Sequence, residues 1–131
     1  DIVATNGISP VKFAVAAAAA YYIAIRHRNH LGVVTANTYS LSTNSTSIDF
    51  SSGATAVYGS NSQISLGGTL CLYGADTDGS GAIDASDRSN VWNSRNQNGY
   101  LDSDCNLDGT VNASDRNSAW NNRNLGRTLP D

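Results

Sequence analysis

Sliding the chain against itself by 28 residues superposes DTDGSGAIDASDRSNVWNSRN (residues 76–96) on DCNLDGTVNASDRNSAWNNRN (residues 104–124), with ten of 21 positions identical. A duplication of this kind makes each copy one supersecondary unit that buries its apolar side against a neighbour. It also divides the 131 residues into two parts. Residues 71–131 hold nine of the eleven Asp against five Arg, whereas residues 1–70 hold Asp1 and Asp49 against Lys12, Arg26 and Arg28. Such charge asymmetry marks two structural tasks. We therefore divide the chain into a β-rich part, residues 1–73, and a duplicated acidic segment, residues 74–131.

Each copy opens with the spacing of an EF-hand calcium loop, which places oxygen ligands at positions 1, 3, 5, 7, 9 and 12 and a glycine at 6. In copy one these are Asp76, Asp78, Ser80, the carbonyl of Ala82, Asp84 and Asp87, with Gly81 at the turn. In copy two they are Asp104, Asn106, Asp108, the carbonyl of Thr110, Asn112 and Asp115, with Gly109 at the turn. Ca²⁺ is a hard ion that prefers oxygen, so two Ca²⁺ ions are the expected cofactors and neither His nor Cys enters the ligand set. Ile83 and Val111 fall at position 8, whose apolar side chain is expected to pair the two loops through a short β-bridge. Position 12 is Asp rather than the longer Glu of sensor EF-hands, which favours a static site over an opening switch. Asp102 reads as a solvated neighbour.

A short helix should follow each loop, capped by Ser86 or Ser114. Val91 with Trp92, and Ala119 with Trp120, form its expected buried face. Arg88 and Trp92 lie four apart, as do Arg116 and Trp120, so each Arg is expected over the indole of its own helix. Both Trp residues read as core anchors.

The first part reads as β. Val11, Phe13 and Val15 alternate with Lys12 and Ala14, and Tyr21, Ile23 and Ile25 with Tyr22, Ala24 and Arg26. Further strands fit residues 32–39, 47–50, 56–58 and 63–72, separated by Ser, Asn and Gly clusters with turn chemistry. The fold class is mainly β: an antiparallel sandwich, incomplete and completed by another strand, with a small C-terminal pair of loop-helix motifs. Residues 16–20 are all Ala and sit where a turn is expected; the run reads as a connection or a relaxed strand. On a continuous strand, His27 and His30 would point to different faces, which disfavours a catalytic or metal-binding pair. Cys71 and Cys105 either form one bridge or remain two buried thiols. Asn44 and Asn112 each begin a glycosylation sequon, to which no weight attaches.

The duplicated unit resembles a dockerin module, which pairs two calcium-binding loop-helix motifs. The whole chain resembles the C-terminal region of secreted and surface proteins of Bacteroidota, in which a β-rich stretch reading like SPVKF…YYIAIRHRNHLGVVTAN precedes a dockerin-like segment reading like YGADTDGSGAIDASDR and GYLDSDCNLDGTVNASDR. The likeness is specific in IRHRNHLGV and in both loops. It implies a β-rich region that begins upstream of the residue matching Asp1, and hence a sandwich with an open edge. Another copy of the chain, or a companion strand, would complete it. Head-to-tail donation then makes a filament.

The expected function is that of a non-enzymatic extracellular structural protein, a calcium-stabilised subunit of a surface filament or cell-surface assembly. The alternative is an attachment module of a larger secreted protein, docking to a partner domain as dockerins do or binding carbohydrate. A net charge of −3 disfavours nucleic acid as a partner. No apolar run reaches the roughly 18–20 residues that span a bilayer. Enzymatic motifs are missing: there is no Glu, no HExxH and no phosphate-binding loop.

Overall fold

The computed structural model describes residues 10–11, 19–40 and 46–130. The expected strand through Phe13 and Val15, residues 16–18 of the alanine run and the Asn44 sequon lie outside them. Six short strands form three antiparallel pairs: β1 (Ala20–Tyr21) with β4 (Tyr39–Ser40), β2 (Ala24–His27) with β3 (His30–Val34), and β5 (Ile64–Leu66) with β6 (Thr69–Cys71). Two helices follow, α1 (Ala85–Asn93) and α2 (Ala113–Asn121). Among the described residues, no helix is long and apolar enough to cross a membrane.

The strands are shorter than the alternation predicts. Residues 63–72 are not one strand but a hairpin, because Gly67 and Gly68 both take positive φ, +59° and +87°, and turn the chain back on itself. Residues 47–50 form no strand, and residues 56–58 contribute one bridge, Val57 to Thr35. The stretch 32–39 breaks after Val34 and resumes at Tyr39. The expected apolar face of Tyr21, Ile23 and Ile25 is not buried as a unit, since all of β2, Ile25 included, is exposed.

Burial concentrates on β3, where Leu31 to Val34 are all buried. One edge of β3 pairs with β2. Along the other, Leu31 N–H donates to the Tyr73 carbonyl at 2.8 Å, and Ala75 N–H donates to the Asn29 carbonyl at 2.8 Å. Farther along, Tyr58 N–H donates to the Val34 carbonyl and Ala36 N–H to that of Ala56, both at 2.8 Å. Backbone pairing therefore carries β3 directly into the start of the acidic segment.

The turn at Arg28–Asn29 reverses the expected facing of the histidines. His27 and His30 are register partners across it, with ring centroids 4.6 Å apart and edge to face. Asn29 has no exposed surface, and its side-chain amide donates to the carbonyls of Asp102 at 2.9 Å and Asp104 at 2.7 Å. Arg28 pairs with Asp102 at 3.6 Å and lies over the Tyr100 ring, 3.6 Å from its centroid. Asp102 is thus exposed, as expected, but tied to the hairpin. The core lies almost wholly in the acidic segment: Ala75, Ile83, Val91, Cys105, Val111 and Ala119, joined by Leu31 from β3.

Replacing Asn29 with Ala leaves two carbonyls without their donor, and is expected to cost about 3 kcal/mol, read from the urea unfolding midpoint. Burial holds the His30 imidazole down to about 4, with the charges of His27 and Arg28 acting in the same direction. The unfolded chain takes up that proton near 6.5 and the folded chain only near 4, so stability is greatest above pH 6.5 and declines as pH falls towards 4. His30→Gln is expected to flatten this slope in denaturation curves between pH 7.5 and 5.

Candidate metal centre

Each loop is organised by a carboxylate with no exposed surface, Asp87 in copy one and Asp115 in copy two. Asp87 Oδ1 accepts from Thr77 N–H at 2.7 Å, Thr77 Oγ1 at 3.1 Å and Asp78 N–H at 3.4 Å, while Oδ2 accepts from Asp84 N–H at 2.8 Å. Asp115 repeats this with Cys105 N–H at 2.8 Å, Asn106 N–H at 3.1 Å and Asn112 N–H at 2.8 Å. A buried carboxylate costs several kcal/mol unless donors surround it, and here loop backbone supplies them.

The position-9 residues, not the serines, cap the helices. Asp84 Oδ1 accepts from Ser86 N–H, and Asn112 Oδ1 from Ser114 N–H, both at 2.7 Å. With Asp87 and Asp115 reaching back to the cap backbone, each unit closes a capping box in which Asp does the work usual for Glu or Gln.

Position 1 is held by the turn glycine. Gly81 N–H donates to Asp76 Oδ2 at 3.1 Å and Gly109 N–H to Asp104 Oδ2 at 2.9 Å, with both glycines at φ +89°. This left-handed conformation is the reason for glycine at position 6. In copy one, oxygens of Asp76, Asp78 and Asp87 converge within 4.8 Å of one another, a group that could hold a metal ion. At an effective dielectric of 20, unit charges at that spacing repel by about 3 kcal/mol per pair. Burial, followed by the Asp87 and Asp78 charges, raises the Asp76 carboxyl above its usual range, against the pull of Gly81 N–H and Arg127. A divalent cation reverses the sign of the charge effect. Ser80 Oγ lies 3.1 Å from the Ala82 carbonyl, which puts positions 5 and 7 side by side.

Asp84 stands outside the converging group and is spent on its cap; position 9 of such loops often acts through water. In copy two, Asp108 N–H lies 3.1 Å from both Asp104 Oδ1 and Asn106 Oδ1, and Asn106 Nδ2 donates to Asp108 at 2.9 Å. Positions 1, 3 and 5 are together there as well, with an amide where copy one has a carboxylate. The Thr110 carbonyl accepts from Asn112 Nδ2 at 3.4 Å. Copy two also places Leu107 at φ +63°, where copy one has Gly79 at +68°. A left-handed non-glycine residue costs roughly 1–2 kcal/mol, so the second loop is the more strained.

The loops do not bridge to each other through position 8. Instead each is braced by the segment that follows the other copy's helix. Ile83 N–H donates to the Leu125 carbonyl at 2.8 Å and Asn124 N–H to the Ile83 carbonyl at 2.9 Å. Equivalently, Val111 N–H donates to the Gln97 carbonyl at 2.9 Å and Asn96 N–H to the Val111 carbonyl at 2.8 Å. Arg127 N–H also donates to the Gly81 carbonyl at 2.7 Å, and its guanidinium lies over Gly81, 3.0 Å from where a Cβ would stand.

The tryptophans are not core anchors: Trp92 is 53% exposed and Trp120 50%. Of the helices' apolar residues, Val91 and Ala119 alone are buried. The arginine partners also differ from expectation, because the three-residue step to Arg95 and Arg123 continues past the helix end. Arg95 lies over Trp92 at 4.6 Å, Arg123 over Trp120 at 4.4 Å, and Arg88 crosses to Trp120 at 5.5 Å. Both cysteines are free thiols. Cys105 occupies the place of Thr77 in the repeat, and burial followed by the nearby Asp115 and Asp104 charges pushes its thiol up to about 12.

Compared with family models, with curated proteins and with solved structures, the chain matches none.

Structural and ligand duties can be separated by substitution. Asp87→Asn places an amide against backbone donors and is expected to cost about 3 kcal/mol in metal-free urea unfolding. Asp78→Asn relieves part of the repulsion on Asp76 and Asp87 and is expected to raise metal-free stability by about 1 kcal/mol, the exposed side chain being partly screened by water, while reducing the stabilisation gained from added metal.

Proposed function

We propose that the chain is a non-enzymatic extracellular structural protein, a calcium-stabilised subunit of a surface filament or cell-surface assembly. The observation that carries this reading is the contrast between the two strands of the β2–β3 ribbon. β3 is buried and fastened through residues 73–75 to the acidic segment, whereas every residue of β2 is exposed. Among the described residues β2 pairs with β3 alone. A strand edge of this kind takes up an added strand. On this reading the two-stranded ribbons are parts of a sandwich that a strand from another copy, or from a companion chain, completes. The acidic segment is a dockerin-like pair of loops for two Ca²⁺ ions.

The donor chemistry supports calcium. The ligand positions offer only carboxylate, amide, hydroxyl and carbonyl oxygen, seven of them carboxylates over the two loops. Bound ions would neutralise the repulsion among Asp76, Asp78 and Asp87 and clamp the segment to which β3 is tied. Calcium at 100 times its dissociation constant adds about 2.7 kcal/mol per site, so the thermal midpoint is expected to climb with calcium concentration.

Calorimetric titration of chelator-stripped protein is expected to give two sites, loop one the tighter because it carries one more carboxylate. Negative-stain microscopy is expected to show filaments that dissolve in chelator and re-form with calcium. A protein that gives no calcium heat, or that stays monomeric by light scattering at high concentration with calcium present, would overturn the corresponding half of the proposal.

A further inference from the structure

The helix pair presents a face that neither the loops nor the β-ribbons use. Arg88, Ser89, Trp92 and Asn93 of α1, with Arg116 of α2, line a shallow cleft of about 380 Å³. Arg88, Arg116, Asn117 and Trp120 line an adjoining cleft of about 340 Å³. The 28-residue repeat relates the two clefts, taking Arg88 to Arg116, Ser89 to Asn117 and Trp92 to Trp120. Each cleft thus combines one half-exposed indole, a polar side chain from each repeat or its neighbour, and a share of the same two arginines.

The arginines of this face, Arg88, Arg95, Arg116 and Arg123, form no direct ion pair with a carboxylate among the described residues. Among the described residues the one salt bridge is Arg28 with Asp102, far from the helix pair in sequence. Arg95 and Arg123 each spend one donor on a tryptophan carbonyl, at 2.9 and 2.6 Å. The guanidinium of Arg88 makes no hydrogen bond among the described residues, and that of Arg116 makes neither a hydrogen bond nor a ring contact. A guanidinium stacked on an indole keeps its donors in its own plane, open to an oxyanion at the edge. With guanidiniums over their rings, Trp92 and Trp120 still keep about half of their surface in water.

We propose that this face binds an acidic polysaccharide, a chain of sugar rings bearing carboxylates. The forks of Arg88 and Arg116 take the carboxylates. The indole surface that the stacked guanidiniums leave open, on Trp92 and Trp120, meets apolar C–H groups of the sugar rings, and Ser89, Asn93 and Asn117 meet hydroxyl groups. Two like clefts side by side suit an occupant that is itself a repeating polymer. A phosphodiester chain has the same sign of charge but carries it every 3.4 Å along a strand, and would crowd against the acidic loops that open each helix. The net charge of −3 opposes any polyanion and opposes the densely charged phosphodiester more than the sparsely charged glycan. This site is independent of the filament reading, and its failure would leave that reading untouched.

The test uses the full chain with calcium present and two probes: a hyaluronan decasaccharide and an oligoglucuronate of similar length. Saturable quenching or enhancement of tryptophan fluorescence is expected, weakening with salt, with amide NMR shifts confined to residues 88–95 and 116–123. The pairs Arg88→Gln with Arg116→Gln, and Trp92→Ala with Trp120→Ala, are expected to weaken binding at least tenfold. Their helical circular dichroism should be unchanged, since these side chains lie outside the core. Arg26→Gln, outside the face, is expected to bind as the parent does. The proposal is overturned if neither glycan binds, if carboxyl-reduced glycan binds equally well, or if the shifts map elsewhere. Tighter binding of oligothymidylate or of an Asp-rich peptide would overturn it too, by assigning the face to nucleic acid or to a protein partner.

Discussion

Asp87 and Asp115 are carboxylates buried to the point of having no surface, and the acidic segment is built around satisfying them. Their oxygens gather amide N–H groups from the start and from the end of each loop, so the loop closes because the charge requires it to. The same carboxylates complete the capping boxes that begin α1 and α2. One group therefore sets the loop's shape and starts the helix that follows, beside a centre at which the turn glycine holds Asp76 or Asp104. In copy one, Asp78 joins that centre; in copy two, Asn106 takes its place, with less charge to repel and less to attract a cation.

The β part depends on that segment more than the reverse. Its buried strand, β3, contributes only Leu31 to the common core, and is held through Asn29 and the backbone of residues 73–75. Asn29 works because an amide donates twice, to the carbonyls on either side of Ser103, where an aliphatic side chain of similar volume would leave them bare. The exposed β2 is the outer limit of this chain of support.

Much of the C-terminal part was legible from residue order. A glycine at the turn, an apolar residue two places on and oxygen donors at alternate positions have few alternative explanations, and the loops, the helices and the inward Val91 and Ala119 lie where that spacing puts them. What spacing could not convey was partnership. The position-8 residues look alike whether they pair with each other or with residues 96–97 and 124–125, because only backbone atoms distinguish the cases. Ser86 outranks nothing as a cap once Asp84 stands two residues before it. Trp92 and Trp120 looked like core by size alone, yet the buried sides of the small helices are taken by Asp87 with Val91 and by Asp115 with Ala119. In the β part, alternation overstated strand length, since Gly67 and Gly68 turn the chain where the apolar pattern runs on. The hairpin at Arg28–Asn29 carries no glycine, so its reversal left no mark in composition.

The exchange of braces between the two copies reaches beyond local bonding. Since Ile83 leans on residues 124–125 and Val111 on residues 96–97, a single 28-residue copy owns only half of what closes its own loop. Isolated, such a copy would have to find the missing half in a twin. The tandem thus has the layout of a two-fold homodimer written into one polypeptide, and a break in the link between its halves would separate two strands of sequence without separating two independent folds.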